Sequence, residues 1–474
     1  MADFYHSVTL DSSRCKGCIN CIKRCPTEAI RVRNGKAHII SERCIDCGEC
    51  IRVCPHHAKR AVYDPLESIG RFSWKVALPA PALYGQFGGD AAIDKVLTAL
   101  KRIGFDDVFE VSAAAEFVSE CTRRLMATGR LPHPVISSAC PAVTRLIRVR
   151  FPNLCRNVLP VLAPVEVAAQ MAREAAHKKT GLPAEQVGVF FLSPCPAKVT
   201  YARTPIGTET SAISGVLSIG EIYPKIAGLV KHMTDPEQLC QSGVIGVGWA
   251  GSGGEASALL DGKYLAADGI ENVIQVLEEV EDEKLGEVDF IELNACSGGC
   301  VGGALTVENP YVAKARIQQL RKYLPVSLNH VKGEVPASVM WTVPLEYLPV
   351  LKLDDDVSAA MKKMMRIDAL LEEMPGLDCG SCGAPSCRAL CEDVVRGMAD
   401  SGDCIFKLRE RINKLVDELS TLEGYLPPPF RKPEEETSET AASETDASGT
   451  GTPGSNPAEG ALKEKTEEER RKRE

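Results

Sequence analysis

The sequence lacks several features that would each point to a simple function. No apolar run reaches the roughly 18 residues that a membrane span needs. The N-terminus reads MADFYHSVTLDSSRC, without a charged-then-apolar leader, so no signal peptide is expected. There is no excess of positive charge: the net charge is −9, which argues against nucleic acid as a main partner. The eight histidines show no metal-like pairing beyond His56-His57, and no kinase-like, PAS-like or DNA-binding segment is visible. A cytoplasmic protein with no membrane span is the expectation.

Against these absences stand twenty cysteines. In a large chain without a secretion signal, they read as metal ligands rather than disulfides. Scattered cysteines can be small buried hydrophobes. Cysteines packed at repeated short spacings are something else.

At 474 residues the chain has room for about two to four domains. Four regions are expected: 1–70, 71–352, 353–425 and 426–474. The second alternates β-like runs with helical ones. WKVALPAPAL, PVISSACPAV, VGVFFLSPC, SGVIGVGWA and EVDFIELNAC are the β-like runs, while DAAIDKVLTALKRI and VEVAAQMAREAAHKK are amphipathic. That alternation predicts α/β architecture with largely parallel sheets, and ligand-bearing loops at the carboxyl ends of strands. The third region reads as helical around a cysteine-rich turn. From about Arg431 the chain is Glu, Ser, Thr, Gly and Lys with almost no large apolar residues, and predicts a disordered charged tail.

CKGCINCIKRCP at 15–26 and CIDCGECIRVCP at 44–55 are both C-x2-C-x2-C-x3-C-P. Four soft thiolates at this spacing hold a [4Fe-4S] cubane, and the fourth cysteine of each run serves the other cluster. One cluster therefore takes Cys15, Cys18, Cys21 and Cys54. The other takes Cys44, Cys47, Cys50 and Cys25. Zinc is a poor alternative, because this duplicated spacing is not that of a zinc ribbon. CGSCGAPSC at 379–387, followed by Cys404, offers Cys379, Cys382, Cys387 and Cys404 to a third cubane. Cys391 is a spare that competes with Cys404, and a structural zinc site is the alternative reading. Cys121, Cys155 and Cys240 read as packing thiols, and Trp249 as core.

The middle region adds Cys140 in SSACPAV, Cys195 in LSPCPAK, and Cys296 and Cys300 in ELNACSGGCVGG. At i, i+4 on a helical turn, two cysteines would have Cβ atoms about 5–6 Å apart, which suits one metal site or two idle thiols equally. The three stretches, in this order, resemble the signature motifs of the iron-only ([FeFe]) hydrogenase catalytic domain. The resemblance extends to LPAPALYGQFGG at 78–89 and GWAGSGGEASALL at 248–260, and covers about residues 1–350. The C-terminal set is similar to that of sensory-type members.

The resemblance implies a ferredoxin-like 2[4Fe-4S] N-terminal domain, a two-lobed catalytic α/β domain and a small helical Fe-S domain. It implies three [4Fe-4S] clusters plus an H-cluster, in which a cubane on Cys140, Cys195, Cys296 and Cys300 is bridged by Cys300 to a two-iron subsite carrying CO and cyanide. Lys198 would hydrogen-bond one cyanide, and Ala80 and Pro81 would line the other.

The departures from the family pattern point the same way. Productive members have Cys-Cys-Pro, whose first thiol passes protons to the two-iron site; here that position is Ala139. Aligned backwards without gaps, the relay glutamates fall on Ser119 and Thr122, with Glu116 and Glu120 nearby. Two methionines against the two-iron site become Ser193 and Asn294, and a glutamate three residues after the motif lysine becomes Tyr201. His133 is a candidate for another proton route. A positioned acid or base contributes about 10²–10⁴ in rate, so slow turnover is expected. The expected function is a hydrogen or redox sensor that slowly splits or forms H2. The rivals are a slow ferredoxin-linked hydrogenase and a cubane-only electron carrier. Implied partners are H2 and protons, ferredoxin or another redox protein, a signalling protein and the hydrogenase maturation proteins.

Overall fold

The computed structural model describes residues 5–88, 91–260 and 262–423. The charged tail lies outside these residues. The chain divides into two compact units, Met1–Arg411 and one that begins at Ile412.

The N-terminal part of the first unit is two small antiparallel pairs, β1 (Val8–Leu10) with β4 (Lys59–Ala61) and β2 (Ile30–Arg33) with β3 (Lys36–Ile39). Two single-turn helices, Asn20–Lys23 and Glu49–Arg52, carry cysteines of the two runs. Such small pieces bury little, and eight cysteine side chains occupy much of the space a core would fill.

Two all-parallel sheets follow. One has the order β6-β5-β8-β9, from β5 (Trp74–Pro79), β6 (Asp107–Val108), β8 (Val187–Ser193) and β9 (Gly215–Ser218). The other has the order β10-β11-β7, from β7 (Val135–Ile136), β10 (Tyr264–Asp268) and β11 (Phe290–Asn294). Period-2 alternation sends Val76, Leu78, Val189 and Phe191 to one face of the first sheet. Ala77, Phe190 and Leu192 go to the other. Helices Val111–Ala127 and Pro164–Thr180 cover the first face, and Ile93–Arg102 and Ile219–His232 the second. Burial on both faces is why these strands read as continuous apolar runs. β10 is a half-exposed edge strand and β6 only two residues, so neither leaves such a run.

SGVIGVGWA departs from the expected strand: Val244–Gly248 is a helical turn. Its glycines let it press onto helix Val111–Ala127, where a Cβ at Gly246 would collide with the Ser112 carbonyl. The buried Glu116 carboxylate there accepts the N–H of Gly243 at 2.5 Å. Close backbone approach and a buried acceptor for orphan N–H groups outweigh the β propensity of Val and Ile.

The cysteine-rich C-terminal region packs helix Val357–Glu372 on Cys387–Val395. Asp356 caps the first through Ala359 N at 2.7 Å, and Ser386 the second through Ala389 N at 3.1 Å. This region docks on the N-terminal one through a buried ion pair. Arg31 holds Asp393 with Nε–Oδ2 2.6 Å and Nη2–Oδ1 3.1 Å, and Arg33 adds a third contact at 2.9 Å.

Candidate functional site

The middle-domain cysteines follow the carboxyl ends of strands: Cys140 after β7, Cys195 after β8, and Cys296 after β11. Cys140 and Cys195 are each the N-cap of a helix with proline at its first position, Pro141–Arg150 and Pro196–Arg203. Proline costs nothing there, and the helix N-terminus favours an anionic sulfur. Cys296 and Cys300 do not share a helical turn. The chain between them bends through Gly298 and Gly299 at φ 81° and 87°, and Cys300 opens a short 3₁₀ turn.

The glycines allow the segments to interlock. A Cβ on Gly299 would collide with Ser252 N, and one on Gly303 with the Pro194 carbonyl. Val301 N bonds Ala250 O at 2.9 Å, and Leu305 N bonds Pro194 O at 2.8 Å. The third cysteine segment is thus laced to GWAGSGG and to SPC, and the four thiols lie close enough to feel one another's charge.

These strand ends surround a cavity of about 60 Å³. Ala80, Pro81, Ala139, Cys140, Lys198, Glu255, Glu292, Asn294 and Cys300 line it, and most of the remaining wall is apolar. Lys198 is half-buried, with Nζ 3.3 Å from Cys300 Sγ. Burial pulls its pKa down, but the charges of Cys300, Cys195 and Cys140 outweigh this and the net shift is upward. Burial first, then neighbouring thiolates, push Cys195 up to about 12. Such thiols keep their protons at neutral pH until a metal displaces them. Four adjoining thiols, a half-buried ammonium and an apolar chamber fit an anionic metal–sulfur group.

The residues at and near the positions where the resemblance puts the relay glutamates are tied down elsewhere. Ser119 Oγ donates to Ala115 O at 2.8 Å and accepts Trp249 Nε1 at 3.0 Å, while Thr122 donates to Val118 O at 3.0 Å. Trp249 packs against the core beside the first sheet and also lines the cavity. Glu116 caps the Gly243 turn and Glu120 pairs with Arg124. His133 is away from the cavity, 3.4 Å from Asp289. Ser193 Oγ donates to the Cys195 carbonyl at 2.9 Å, and Tyr201 is buried in the core.

Sequence reasoning missed two carboxyls. Glu255 and Glu292 lie together behind the cavity. Ser137 Oγ donates to Glu255 Oε2 at 2.6 Å, and Ala139 N donates to Ser137 Oγ at 3.1 Å. Glu292 accepts Gly253 N at 3.0 Å, Ala256 N at 2.8 Å and Asn294 Nδ2 at 2.7 Å. Burial, and then the Glu292 charge, push Glu255 up to about 8. Burial raises Glu292 too, but its donors pull it back. Both carboxyls are raised by burial, so the pair holds a proton more readily than two exposed carboxylates would. The available signal was a glutamate inside the apolar run FIELN.

In the N-terminal region, Cys15, Cys18, Cys21 and Cys54 line one small cavity. Cys25, Cys44, Cys47 and Cys50 line another. The second abuts the catalytic-type loops: Gly48 is so near Pro196 and Ala304 that a Cβ would sit 2.9 Å from each, and Arg52 Nη2 donates to Gly302 O at 3.0 Å. At the other end, Gly380 of the C-terminal turn faces Ile22 and Lys23 of the first cysteine run. Cys382 senses the charge of both Cys379 and Cys404, and Cys391 that of Cys387 and Cys382. His56 and His57 are exposed, Cys121 is fully buried, and Cys155 and Cys240 are half-buried.

Comparison with known proteins agrees with this chemistry. Residues 74–261 and 251–304 match the family described as iron only hydrogenase large subunit, C-terminal domain. Residues 7–55 match a 4Fe-4S dicluster domain, and 374–406 an Fe-S cluster family. The periplasmic [Fe] hydrogenase large subunit of Nitratidesulfovibrio vulgaris is 25% identical over 377 residues, 66% of this chain and 89% of that protein. Iron hydrogenase 1 of Clostridium pasteurianum is 24% identical over 266 residues, 46% of each chain. A solved [FeFe]-hydrogenase of Chlamydomonas reinhardtii aligns with TM-score 0.47 and 16% identity over 60% of this chain and 97% of that one. No described helix is long and apolar enough to cross a membrane. The cysteine geometry and the family matches together make residues 74–304 similar to the catalytic domain of the iron-only ([FeFe]) hydrogenases, and residues 7–55 similar to 4Fe-4S dicluster domains.

Proposed function

We propose that this chain slowly splits or forms H2 at a two-iron subsite bridged by Cys300 to a cubane on Cys140, Cys195, Cys296 and Cys300, and acts as a hydrogen or redox sensor. The observation that carries this reading is the half-buried Lys198 ammonium, 3.3 Å from Cys300 Sγ at the wall of an apolar cavity. A cubane alone needs no such cation or chamber. When bound, the group supplies cleavage of H2 into two protons and two electrons. Lys198 supplies a positive hydrogen-bond donor to an anionic ligand, and Ala80 and Pro81 close the opposite wall. Ala139 presents a methyl group where productive relatives carry a proton-passing thiol.

Protons then leave by another group. Glu255, held near neutral pKa and hydrogen-bonded to Ser137, is the acid/base we assign, with Glu292 as its charged neighbour. This pair also supports the second reading, a slow hydrogenase exchanging electrons with ferredoxin. Three further cubanes would carry the electrons. Their order runs from the Cys25/Cys44/Cys47/Cys50 set through the Cys15/Cys18/Cys21/Cys54 set to the Cys379/Cys382/Cys387/Cys404 set. The division into 1–70, 71–352, 353–425 and 426–474, a cytoplasmic site of action, and a signalling partner and maturation proteins belong to the same proposal.

The test is an infrared spectrum of the matured protein before and after H2. CO and cyanide stretches that move with H2 support a working two-iron site. Full maturation without such bands would make this a cubane-only electron carrier.

A further inference from the structure

Helix Ile405–Glu423 leaves an apolar stripe in solvent. Ile405, Leu408, Ile412, Leu415 and Leu419 are 46% to 62% exposed. Their spacing is 3-4-3-4, a heptad seam with isoleucine at the first two a positions and leucine at the d positions. Val416, also exposed, sits beside the seam at e. Phe406, on a different face, is the residue that packs into the core of the cysteine-rich region.

Residues 424–474 contain Tyr425, Leu426, Phe430 and Leu462 as their large apolar residues, with no second heptad. The matching surface is the seam itself. Arg411 and Glu418 occupy successive g positions and carry opposite charges. In an antiparallel pair, g faces g, so each Arg411 meets the Glu418 of the other copy, twice by symmetry. In a parallel pair, Arg411 would face Val416 and gain nothing. We propose that the partner of this helix is a second copy of the same chain, joined by an antiparallel two-helix coiled coil over residues 405–419.

The seam is about 21 Å long at 1.5 Å per residue, shorter than the three to four heptads of a permanent coiled coil, so the dimer should be concentration-dependent. The experiment is sedimentation equilibrium of the full-length, cluster-loaded protein from about 1 to 100 µM. The expected result is a shift from 51.1 kDa toward twice that mass. Leu415→Glu should stay monomeric throughout with its visible cluster absorbance unchanged. Arg411→Glu should weaken the dimer about tenfold, and Arg411→Glu with Glu418→Arg should restore it, because the swap rebuilds the pair. A monomeric wild type at 100 µM overturns the proposal. So does a dimer that Leu415→Glu leaves intact, or a charge swap that fails to restore what Arg411→Glu lost.

Discussion

Replacing Glu255 by glutamine should make the protein more stable at high pH and slower with hydrogen. The side chain is buried beside Glu292, and its pKa is lifted from 4.5 to about 8. The sign follows from linkage. Below pH 4.5 the carboxyl is protonated both folded and unfolded, and its ionisation costs nothing. Between 4.5 and 8 the unfolded chain releases a proton that the folded chain keeps, so stability falls with rising pH. Above about 8 the full cost is present, roughly 5 kcal/mol at 1.36 kcal/mol per pH unit. Glutamine cannot ionise and still accepts the Ser137 hydroxyl. Glu255→Gln should therefore match wild type near pH 5 and unfold roughly 10–20 °C higher at pH 9, given about 2–4 °C per kcal/mol. Anaerobic calorimetry across that range reads it. Hydrogen oxidation should fall about 10²–10⁴-fold, the usual contribution of a positioned acid or base. An unchanged rate would remove Glu255 from proton transfer. A lower melting temperature at pH 9 would refute the reasoning about its buried charge.

Other substitutions probe the cysteine sites. Cys300→Ala should keep the N-terminal clusters, counted by iron content, and lose the CO and cyanide bands; bands that persist would break the bridging assignment. Gly299→Ala forces a side chain onto Ser252 N at a φ of 87°. It should abolish those bands while the electron paramagnetic resonance of the N-terminal clusters survives. Asp393 is 2% exposed as a side chain, and Asp393→Ala strands Arg31 in a buried site. The expected cost is about 3–5 kcal/mol, read as rapid proteolysis between residues 353 and 405; wild-type resistance would mean that the ion pair does not hold the two regions together.

Cysteine spacing was legible because a cubane fixes its ligands locally: two- and three-residue gaps are set by cluster size, whatever the rest of the chain does. The parallel sheets were legible too, since strands buried on both faces must be apolar throughout, as VGVFFLS is. The SGVIGVGWA turn was not, because its conformation depends on how near Ser112 and Glu116 lie across the fold. Nor was the environment of Trp249, an apolar residue whose indole N–H meets Ser119 at the cavity wall.

The sequence by itself determined which residues can bind metal and that Ala139 carries no proton. Only the tertiary structure decided where the four middle cysteines meet, that Lys198 points at Cys300, and that Glu255 and Glu292 share one buried site. Ligand type and local spacing are properties of a short stretch of chain. Charge burial and the pKa of a carboxyl depend on neighbours more than a hundred residues away, as Ser137 is from Glu255.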